Sequence, residues 1–151
     1  MKNKNLIHSF RNAFRGLINT YLRERNFRIQ VSFAIIVIYF SIKFKIDKIY
    51  LFFIFLIITL VLYSELINSA LEILCDKIEK DYNKKIKAVK DTIAGGVLLF
   101  SIFSIILGLS LFLRYIKKID FFSIIFSIVI LIIPFLIKGN NNDIIKKRGD
   151  V

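Results

Sequence analysis

The chain has 151 residues, of which 56% are hydrophobic, with a mean hydropathy of +0.66; this is too apolar for a soluble domain and predicts a single all-α integral membrane protein. The formal net charge of +12 would suit a nucleic-acid partner, but the basic residues lie between apolar blocks, as positive-inside topology requires, so we expect no nucleic-acid binding. The single cysteine, Cys75, excludes an internal disulfide and a cysteine-rich zinc site.

The first predicted element is an amphipathic helix at residues 6–26. Its apolar residues recur every three or four positions, while Arg11 and Arg15 lie on the polar side. A helix of this kind is suited to lying in the membrane interface. The apolar positions are Leu6, Ile7, Phe10, Phe14, Leu17, Ile18 and Tyr21.

Four membrane spans are predicted after this surface helix, at about 28–46, 49–74, 92–113 and 119–137. If successive spans cross in opposite directions, the segments on one side of the membrane are those before 29, at 77–90 and from 138 onward. They hold seven, six and four Lys and Arg residues, seventeen together, whereas the segments on the other side hold three and three. The positive-inside rule assigns the richer side to the cytoplasm. We therefore expect both termini to be cytoplasmic, including the polar tail at 138–151.

The second predicted span carries a stripe of polar side chains. Glu65, Asn68, Glu72 and Asp76 are separated by three, four and four residues, which places them in one narrow arc of a helix, with Ser69 at its edge. A charged residue at the membrane centre costs about 2.5–3.5 kcal/mol on insertion scales, so the stripe should face protein, water or a cation. Taken alone, it fits a structural polar network, an ion or proton path, or a metal-assisted site.

The connector after this span is rich in lysine and ends in Lys90 and Asp91. Four small residues of the third span share one helical face with Lys90, and small residues let helices approach closely. They are Ala94, Ser101, Ser104 and Gly108. This face can serve packing alone, but if it docks on the second span it also holds a cation and an acid over the polar stripe.

These residues resemble the signature of the prokaryotic diacylglycerol kinase family, which includes the undecaprenol kinases of Gram-positive bacteria. "ELINSALEILCD" at 65–76, "DYN" at 81–83 and "KD" at 90–91 match its spacing, and "SFRNAFRGL" and "ERNFRIQ" upstream agree. The resemblance covers about residues 6–113. It implies an integral-membrane lipid kinase that uses Mg-ATP. Neither G-x-x-x-x-G-K-[ST] nor G-x-G-x-x-G occurs, so the phosphates would be held by metal and lysine.

The resemblance also implies roles for individual residues. It makes Glu65 the general base that takes the proton from the lipid hydroxyl, and Glu24 and Glu72 the ligands of Mg²⁺. The positions implied around ATP are Asn12, Glu24, Glu72, Asp76, Asp81, Tyr82, Asn83, Lys90 and Asp91. The positions implied around the lipid substrate are Phe27, Arg28, Glu65 and Asn68.

Two features refine this pattern. Ala94 stands where the Gram-negative diacylglycerol kinases carry a serine, and "KDTIAGGV" is more like the Gram-positive type, which favours undecaprenol over diacylglycerol. The span at 119–137 is additional to the three of the family. The expected plan is therefore a lipid kinase domain at 1–113, an additional transmembrane helix and the tail.

We expect an ATP-dependent phosphotransferase that acts on a lipid alcohol at the cytoplasmic face of the bacterial cell membrane. The resemblance implies a homotrimer with sites shared between subunits. Glu24 from the surface helix and Glu72 from a span could then meet across an interface. Two other hypotheses remain open from the residues: a small ion or proton carrier that uses Glu65 and Glu72, and an interaction protein in which the polar stripe serves only packing.

Overall fold

The computed structural model describes residues 6–79, 81 and 83–137, and the regular structure in these residues is entirely helical. The elements are α1 (Leu6–Arg23), α2 (Arg25–Lys43), α3 (Lys48–Ile78), α4 (Lys84–Phe112), a short 3-10 helix (Leu113–Lys118) and α5 (Phe121–Leu136). The predicted all-α class is confirmed. Tyr82 and the tail at 138–151 lie outside the described residues.

Within the described part of the chain, three helical segments are long and apolar enough to cross a membrane. They are α2, α3 and the segment Lys84–Lys118, which joins α4 to the 3-10 helix. α5 corresponds to the additional predicted span, but its 16 residues extend about 24 Å, less than the roughly 30 Å of a hydrocarbon core. A crossing by α5 therefore requires local thinning of the bilayer or snorkelling of flanking side chains.

α2 ends three residues before the predicted boundary of the first span because the backbone turns at Lys45. Lys45 has a φ of 52°, the left-handed conformation that commonly terminates helices. Its N–H donates to the carbonyl of Ile42 at 3.1 Å, and the N–H of Ile46 donates to the carbonyl of Ser41 at 3.0 Å. This pair of bonds is a Schellman motif, and it turns the chain toward α3.

The bundle buries polar side chains and exposes apolar ones, the reverse of a soluble protein. The buried polar residues are Arg28, Ser32, Ser41, Glu65, Asn68, Ser69 and Ser123. Among the described residues, the buried apolar ones are Phe27, Ile54, Val61, Cys75 and Pro134. This is the arrangement expected when the surrounding solvent is hydrocarbon, because polar groups must then find partners inside the protein.

α3 packs against α2 and α4, and α5 packs against α2. Arg28 near the start of α2 contacts Pro134 near the end of α5, whereas Lys43 at the end of α2 contacts Asp120 just before α5. α5 therefore runs antiparallel to α2. Its contacts reach both ends of that helix.

α1 buries none of its residues. Its apolar stripe is uncovered, with Leu6 79% exposed and Phe10 66% exposed, and its less exposed residues lie toward its C-terminal end, where it meets the bundle. An uncovered stripe of this length fits a helix that lies in the membrane interface. α1 ends at Arg23, so that Glu24 alone separates it from α2.

α3 is longer than the hydrocarbon core is thick, which sets the depth of the polar stripe. Its 31 residues extend about 46 Å, against a core of about 30 Å. Measured along the helix from Lys48, Glu65 lies at about 26 Å and Glu72 at about 36 Å. If Lys48 marks one boundary, Glu65 is near the other edge of the hydrocarbon and Glu72 is beyond it, where a carboxylate costs less than at the centre.

Candidate active site

Glu65 is a buried carboxylate at the contact between α2 and α3. The residue is 2% exposed, and Nε2 of Gln30 on α2 donates a hydrogen bond to its Oε2 at 3.3 Å. One neutral donor compensates poorly for burying a charged carboxylate, which normally requires pairing or several hydrogen bonds. This environment suits a carboxyl group that exchanges a proton with a ligand.

Two hydrogen-bond acceptors near Glu65 have no partner among the described residues. They are Oε1 of Gln30 and Oδ1 of Asn68, and both atoms are buried. Nδ2 of Asn68 donates to Oε1 of Glu72 at 3.1 Å, so the oxygen of the Asn68 amide is the group left unpaired. A buried acceptor without a partner costs about 1–3 kcal/mol. A ligand that brings a hydroxyl donor to this point would remove that cost.

Glu24 is held against α3 by two neighbouring side chains. Nε of Arg23 donates to Oε1 of Glu24 at 2.7 Å, and Nη2 of Arg23 donates to Oγ of Ser69 at 2.7 Å. The Ser69 hydroxyl donates to the same Glu24 oxygen at 3.3 Å. Ser69 is 1% exposed and lies three residues before Glu72. The cluster therefore brings Glu24 to the helical turn of α3 that carries Glu72.

Glu24 and Glu72 supply carboxylate oxygens, the donor type that Mg²⁺ prefers. Among the described residues, the hydrogen bonds to these carboxylates involve Oε1 of each, so the second oxygens can face a cation. The described residues contain no group of three His, Cys, Asp or Glu side chains that could hold a metal ion by itself. Mg²⁺ usually takes one or two protein carboxylates and completes its coordination with water and substrate phosphates. The two glutamates suit a metal that arrives with a nucleotide.

The charged residues at the start of α4 lie over the polar stripe only in part. Nζ of Lys90 donates a hydrogen bond to Oδ1 of Asp76 on α3, so the predicted placement of Lys90 beside the stripe is confirmed. Asp91 instead faces Lys87 of its own helix, at 3.8 Å. α4 therefore presents the ammonium group of Lys90 to the polar stripe of α3, as expected from the helical face that Lys90 shares with the small residues of α4.

The remaining residues predicted around ATP are spread more widely. The side chain of Asn83 caps α4 and accepts from two backbone N–H groups of its first turn, at 2.9 and 3.5 Å. Asp81 is exposed in the connector, and Tyr82 lies outside the described residues. Asn12 is exposed on α1, about 18 Å along the helix from Glu24. In a single chain, the structure does not bring Asn12 to the glutamates.

An apolar groove of about 990 Å³ runs between α2, α3 and α4. One end holds Gln30, Glu65 and Asn68, and the other reaches Tyr50, about 22 Å away along α3. The small residues of α4 that were predicted to share a face line this groove: Ala94, Ser101, Ser104 and Gly108. A groove with one polar end fits a long hydrocarbon chain that carries a hydroxyl at its tip.

Phe27 and Arg28, predicted at the lipid substrate, lie outside this groove. Both are buried, at 5% and 4% exposed, and neither lines the groove. Arg28 donates to backbone carbonyls of α1 and α5. The polar residue of α2 that does line the groove beside Glu65 is Gln30.

Gln30 and Arg23 were missed by reasoning from the sequence. Gln30 is an amide inside the predicted first span, so the test that singled out Asn68 on the second span could have found it. Arg23 gives no such signal, because arginines are common beside membrane spans and only the folded chain places this one against Ser69.

The chain is similar in sequence to known lipid kinases. The family model described as prokaryotic diacylglycerol kinase matches residues 11–112. The chain is 36% identical over 105 residues to an undecaprenol kinase of Bacillus subtilis (strain 168), covering 70% of this chain and 85% of that protein. It is 36% identical over 105 residues to a diacylglycerol kinase of Synechocystis sp., covering 69% of this chain and 60% of that protein. No solved structure gives a significant match.

The family match includes α2, α3 and α4, and α5 lies beyond it. Homology to kinases implies a nucleotide and a metal requirement, together with a lipid substrate, and it favours a phosphotransferase over an ion or proton carrier. The chain belongs to the prokaryotic diacylglycerol kinase family and is an ATP-dependent lipid kinase of the membrane.

Proposed function

We propose that this protein transfers the γ-phosphoryl group of ATP to the hydroxyl of undecaprenol, or of a closely similar lipid alcohol, at the cytoplasmic face of the membrane. The observation that carries the proposal is the position of Glu65 at the polar end of an apolar groove, where it is buried beside two acceptors left unpaired in the described part of the chain. A lipid hydroxyl at this point can donate to Glu65 or to an unpaired amide oxygen while its hydrocarbon lies in the groove.

Glu65 acts as the general base in the proposed reaction. The hydroxyl oxygen attacks the γ-phosphorus, its proton passes to Glu65, and the bond between the γ-phosphorus and the oxygen of ADP breaks. Gln30 holds the carboxyl group through Nε2, and the unpaired Oδ1 of Asn68 can accept from the substrate hydroxyl and orient it. Transfer is direct, so no phospho-enzyme forms.

Glu24 and Glu72 are the proposed ligands of Mg²⁺, which when bound neutralises charge on the transferring phosphates. Arg23 keeps Glu24 against Ser69 and thereby sets its place relative to Glu72. Lys90, beside Asp76, is the proposed cation for the nucleotide phosphates. The other proposed nucleotide contacts are Asn12, Asp81, Tyr82, Asn83 and Asp91.

The polar end of the groove lies on the same side of the bundle as the connector between α3 and α4. If the predicted spans alternate in direction, this side carries seventeen of the Lys and Arg residues of the sequence, against six on the other. The positive-inside rule assigns it to the cytoplasm, where ATP is available. The same rule predicts a cytoplasmic N-terminus, and a cytoplasmic C-terminus if α5 crosses.

The homotrimer implied by the family resemblance remains part of the proposal. The groove opens toward the outside of the bundle, and α1 leaves its apolar stripe uncovered, so both surfaces are available to a second copy. Sharing of the metal ligands is not required, however. Glu24 contacts Ser69 of its own chain, three residues from Glu72, so the pair can also form within one subunit.

Ala94 supports undecaprenol over diacylglycerol. It lines the groove near its polar end, and its methyl group offers no hydrogen bond to the ester carbonyls of a diacylglycerol. Undecaprenol carries a single hydroxyl and no ester, so an apolar side chain is compatible with it. One relative of the chain is an undecaprenol kinase by name.

The proposal is tested with purified wild-type protein, γ-labelled ATP and Mg²⁺ in mixed micelles that contain either undecaprenol or a diacylglycerol. We expect label in undecaprenyl phosphate, a smaller signal with diacylglycerol, and none after chelation of Mg²⁺. Liposomes that contain the protein but no nucleotide test the carrier alternative. They should show no pH-driven flux of ions or protons. Folded protein that labels neither lipid contradicts the proposal.

A further inference from the structure

Arg28 joins three helices through its guanidinium group. It is 4% exposed and lies in the first turn of α2. Nη1 donates to the carbonyls of Tyr21 and Leu22, at 3.1 and 2.9 Å, and Nε donates to the carbonyl of Pro134 at 3.2 Å. Tyr21 and Leu22 belong to the last turn of α1 and Pro134 to the last turn of α5. Arg28 therefore binds the carbonyl ends of two other helices.

These carbonyl ends are strong acceptors for a cation. The last four carbonyls of a helix lack intrahelical N–H partners, and the helix dipole gives this end a partial negative charge. A guanidinium presents its donors in a rigid, planar fork and can satisfy carbonyls in different directions at once. A lysine has one ammonium group on a flexible stem and cannot reproduce this geometry.

Further contacts attach α5 to α2 along its length. The guanidinium of Arg25 lies 4.7 Å from the centre of the Phe135 ring, next to Pro134. At the opposite end, Nζ of Lys43 donates to Asp120 and to Ser123. α5 is thus held at both ends by polar or cation–π contacts, which a loosely associated membrane anchor does not need.

The Arg28 contacts adjoin the turn that carries Glu24. The backbone N–H of Arg28 donates to the carbonyl of Glu24 at 3.2 Å, and the carbonyls of α1 that Arg28 binds lie two and three residues before Glu24. The side chain of Glu24 is in turn held by Arg23 and Ser69. A shift of the end of α1 relative to α2 would therefore move Glu24 relative to Glu72.

We propose that Arg28 is a positioning residue, and that α5, which lies beyond the family match, acts through it to hold Glu24 at the metal–nucleotide site. This rests on the proposed function, in which Glu24 binds the metal of Mg-ATP. It replaces the expectation that Arg28 contacts the lipid. Arg28 then governs the KM for Mg-ATP rather than the KM for the lipid.

Arg28→Lys tests the proposal because it keeps the positive charge and removes the fork. We expect the KM for Mg-ATP to rise about tenfold, the effect of losing a hydrogen bond to a charged group, while kcat and the KM for undecaprenol change by less than about twofold. Phe135→Ala removes the ring over Arg25 without touching Arg28. Because Phe135 is 62% exposed, this variant should fold, and its KM for Mg-ATP should rise by about threefold.

Asp120→Asn is the control, since it weakens α5 at the end remote from Glu24. It should lower thermal stability without changing the KM for Mg-ATP. A rise in the lipid KM of the Arg28 variant, or a KM for Mg-ATP that rises as much in Asp120→Asn, overturns the positioning role. An unchanged KM for Mg-ATP in Phe135→Ala overturns the part assigned to α5. Inactive wild-type protein in the same assay counts against the proposed function instead.

Discussion

Gln30 on α2 donates a hydrogen bond of 3.3 Å to Glu65 on α3. The bond joins two helices at the polar end of the groove, where Glu65 is 2% exposed. It orients the carboxyl group without supplying a counter-charge. The side chain of Glu65 is therefore held in place and is still able to take up a proton.

Replacement of Glu65 by Gln should abolish phosphoryl transfer without releasing the protein from the membrane. The amide is nearly isosteric but cannot accept the proton, and general-base catalysis contributes about 10²–10⁴-fold to the rate. We expect kcat to fall by at least about 10²-fold, measured with γ-labelled ATP and undecaprenol. Asp47→Asn, a carboxylate-to-amide change at an exposed position before α3, is the matched control and should retain full activity. Activity that persists in Glu65→Gln excludes Glu65 as the base.

Replacement of Gln30 by Leu should lower kcat about tenfold, because it removes the donor that orients the base and a hydrogen bond to a charged group contributes about 1.5–3 kcal/mol. The KM for Mg-ATP should not change, since Gln30 lies on the groove rather than beside Glu24. Steady-state kinetics with both substrates measure this. Thr59→Val removes a hydroxyl that donates to the Phe55 carbonyl on the exposed face of α3 and should have no effect. A Gln30→Leu variant with unchanged kcat would show that the bond to Glu65 has no catalytic role.

Replacement of Gly108 by Leu should selectively impair long lipid substrates. A Cβ atom at this position meets nothing within 4 Å, so the helix tolerates the change, and the side chain occupies the groove. Gly108 lies about 21 Å along α4 from Ala94. A short alcohol of two isoprene units should not reach it, whereas kcat/KM for undecaprenol should fall about tenfold through steric overlap.

Gly96→Leu is the matched control on the same helix. A Cβ atom at Gly96 would likewise meet nothing within 4 Å, and Gly96 does not line the groove. The change should leave the preference between the long and the short alcohol unaltered. If Gly108→Leu lowers kcat/KM equally for the long and the short alcohol, the hydrocarbon chain of the substrate does not lie in the groove.

Replacement of Lys45 by Gly should stabilise the fold. Lys45 has a φ of 52°, and a left-handed conformation costs a residue with a Cβ roughly 1 kcal/mol that glycine avoids. The free energy of unfolding in detergent should therefore rise by about 1 kcal/mol. Lys48→Gly, at the first residue of α3, removes the same charge without relieving strain and should bring no such gain. Equal or lower stability in Lys45→Gly would mean that the lysine makes compensating contacts.

Much of the fold and part of the site follow from the sequence. Apolar blocks of sufficient length predict membrane helices, because hydrocarbon accepts only segments whose backbone groups are paired internally. The stripe of Glu65, Asn68 and Glu72 follows from helical periodicity, because residues three and four apart share a face. The contact of Lys90 with Asp76 follows from the same reasoning applied to two adjoining helices.

The ends of the helices were harder to predict from the sequence. The first span was predicted to continue to position 46, but the left-handed turn at Lys45 ends α2 at Lys43. Lysine is not a residue whose presence signals such a turn, since glycine or asparagine usually occupies it. The cap that Asn83 provides at the start of α4 was not anticipated either, and its place beside the nucleotide stays a prediction.

Local spacing along the chain was enough to establish the class of protein, its apolar helices and the acidic face of α3, since these depend on neighbours within one or two helical turns. Tertiary packing alone decided that Gln30 meets Glu65, that Arg23 brings Glu24 to Ser69, and that Arg28 ties α5 to α1. These contacts join residues far apart in the chain. They depend on how each helix is rotated toward its neighbours, which the spacing within any single helix does not specify.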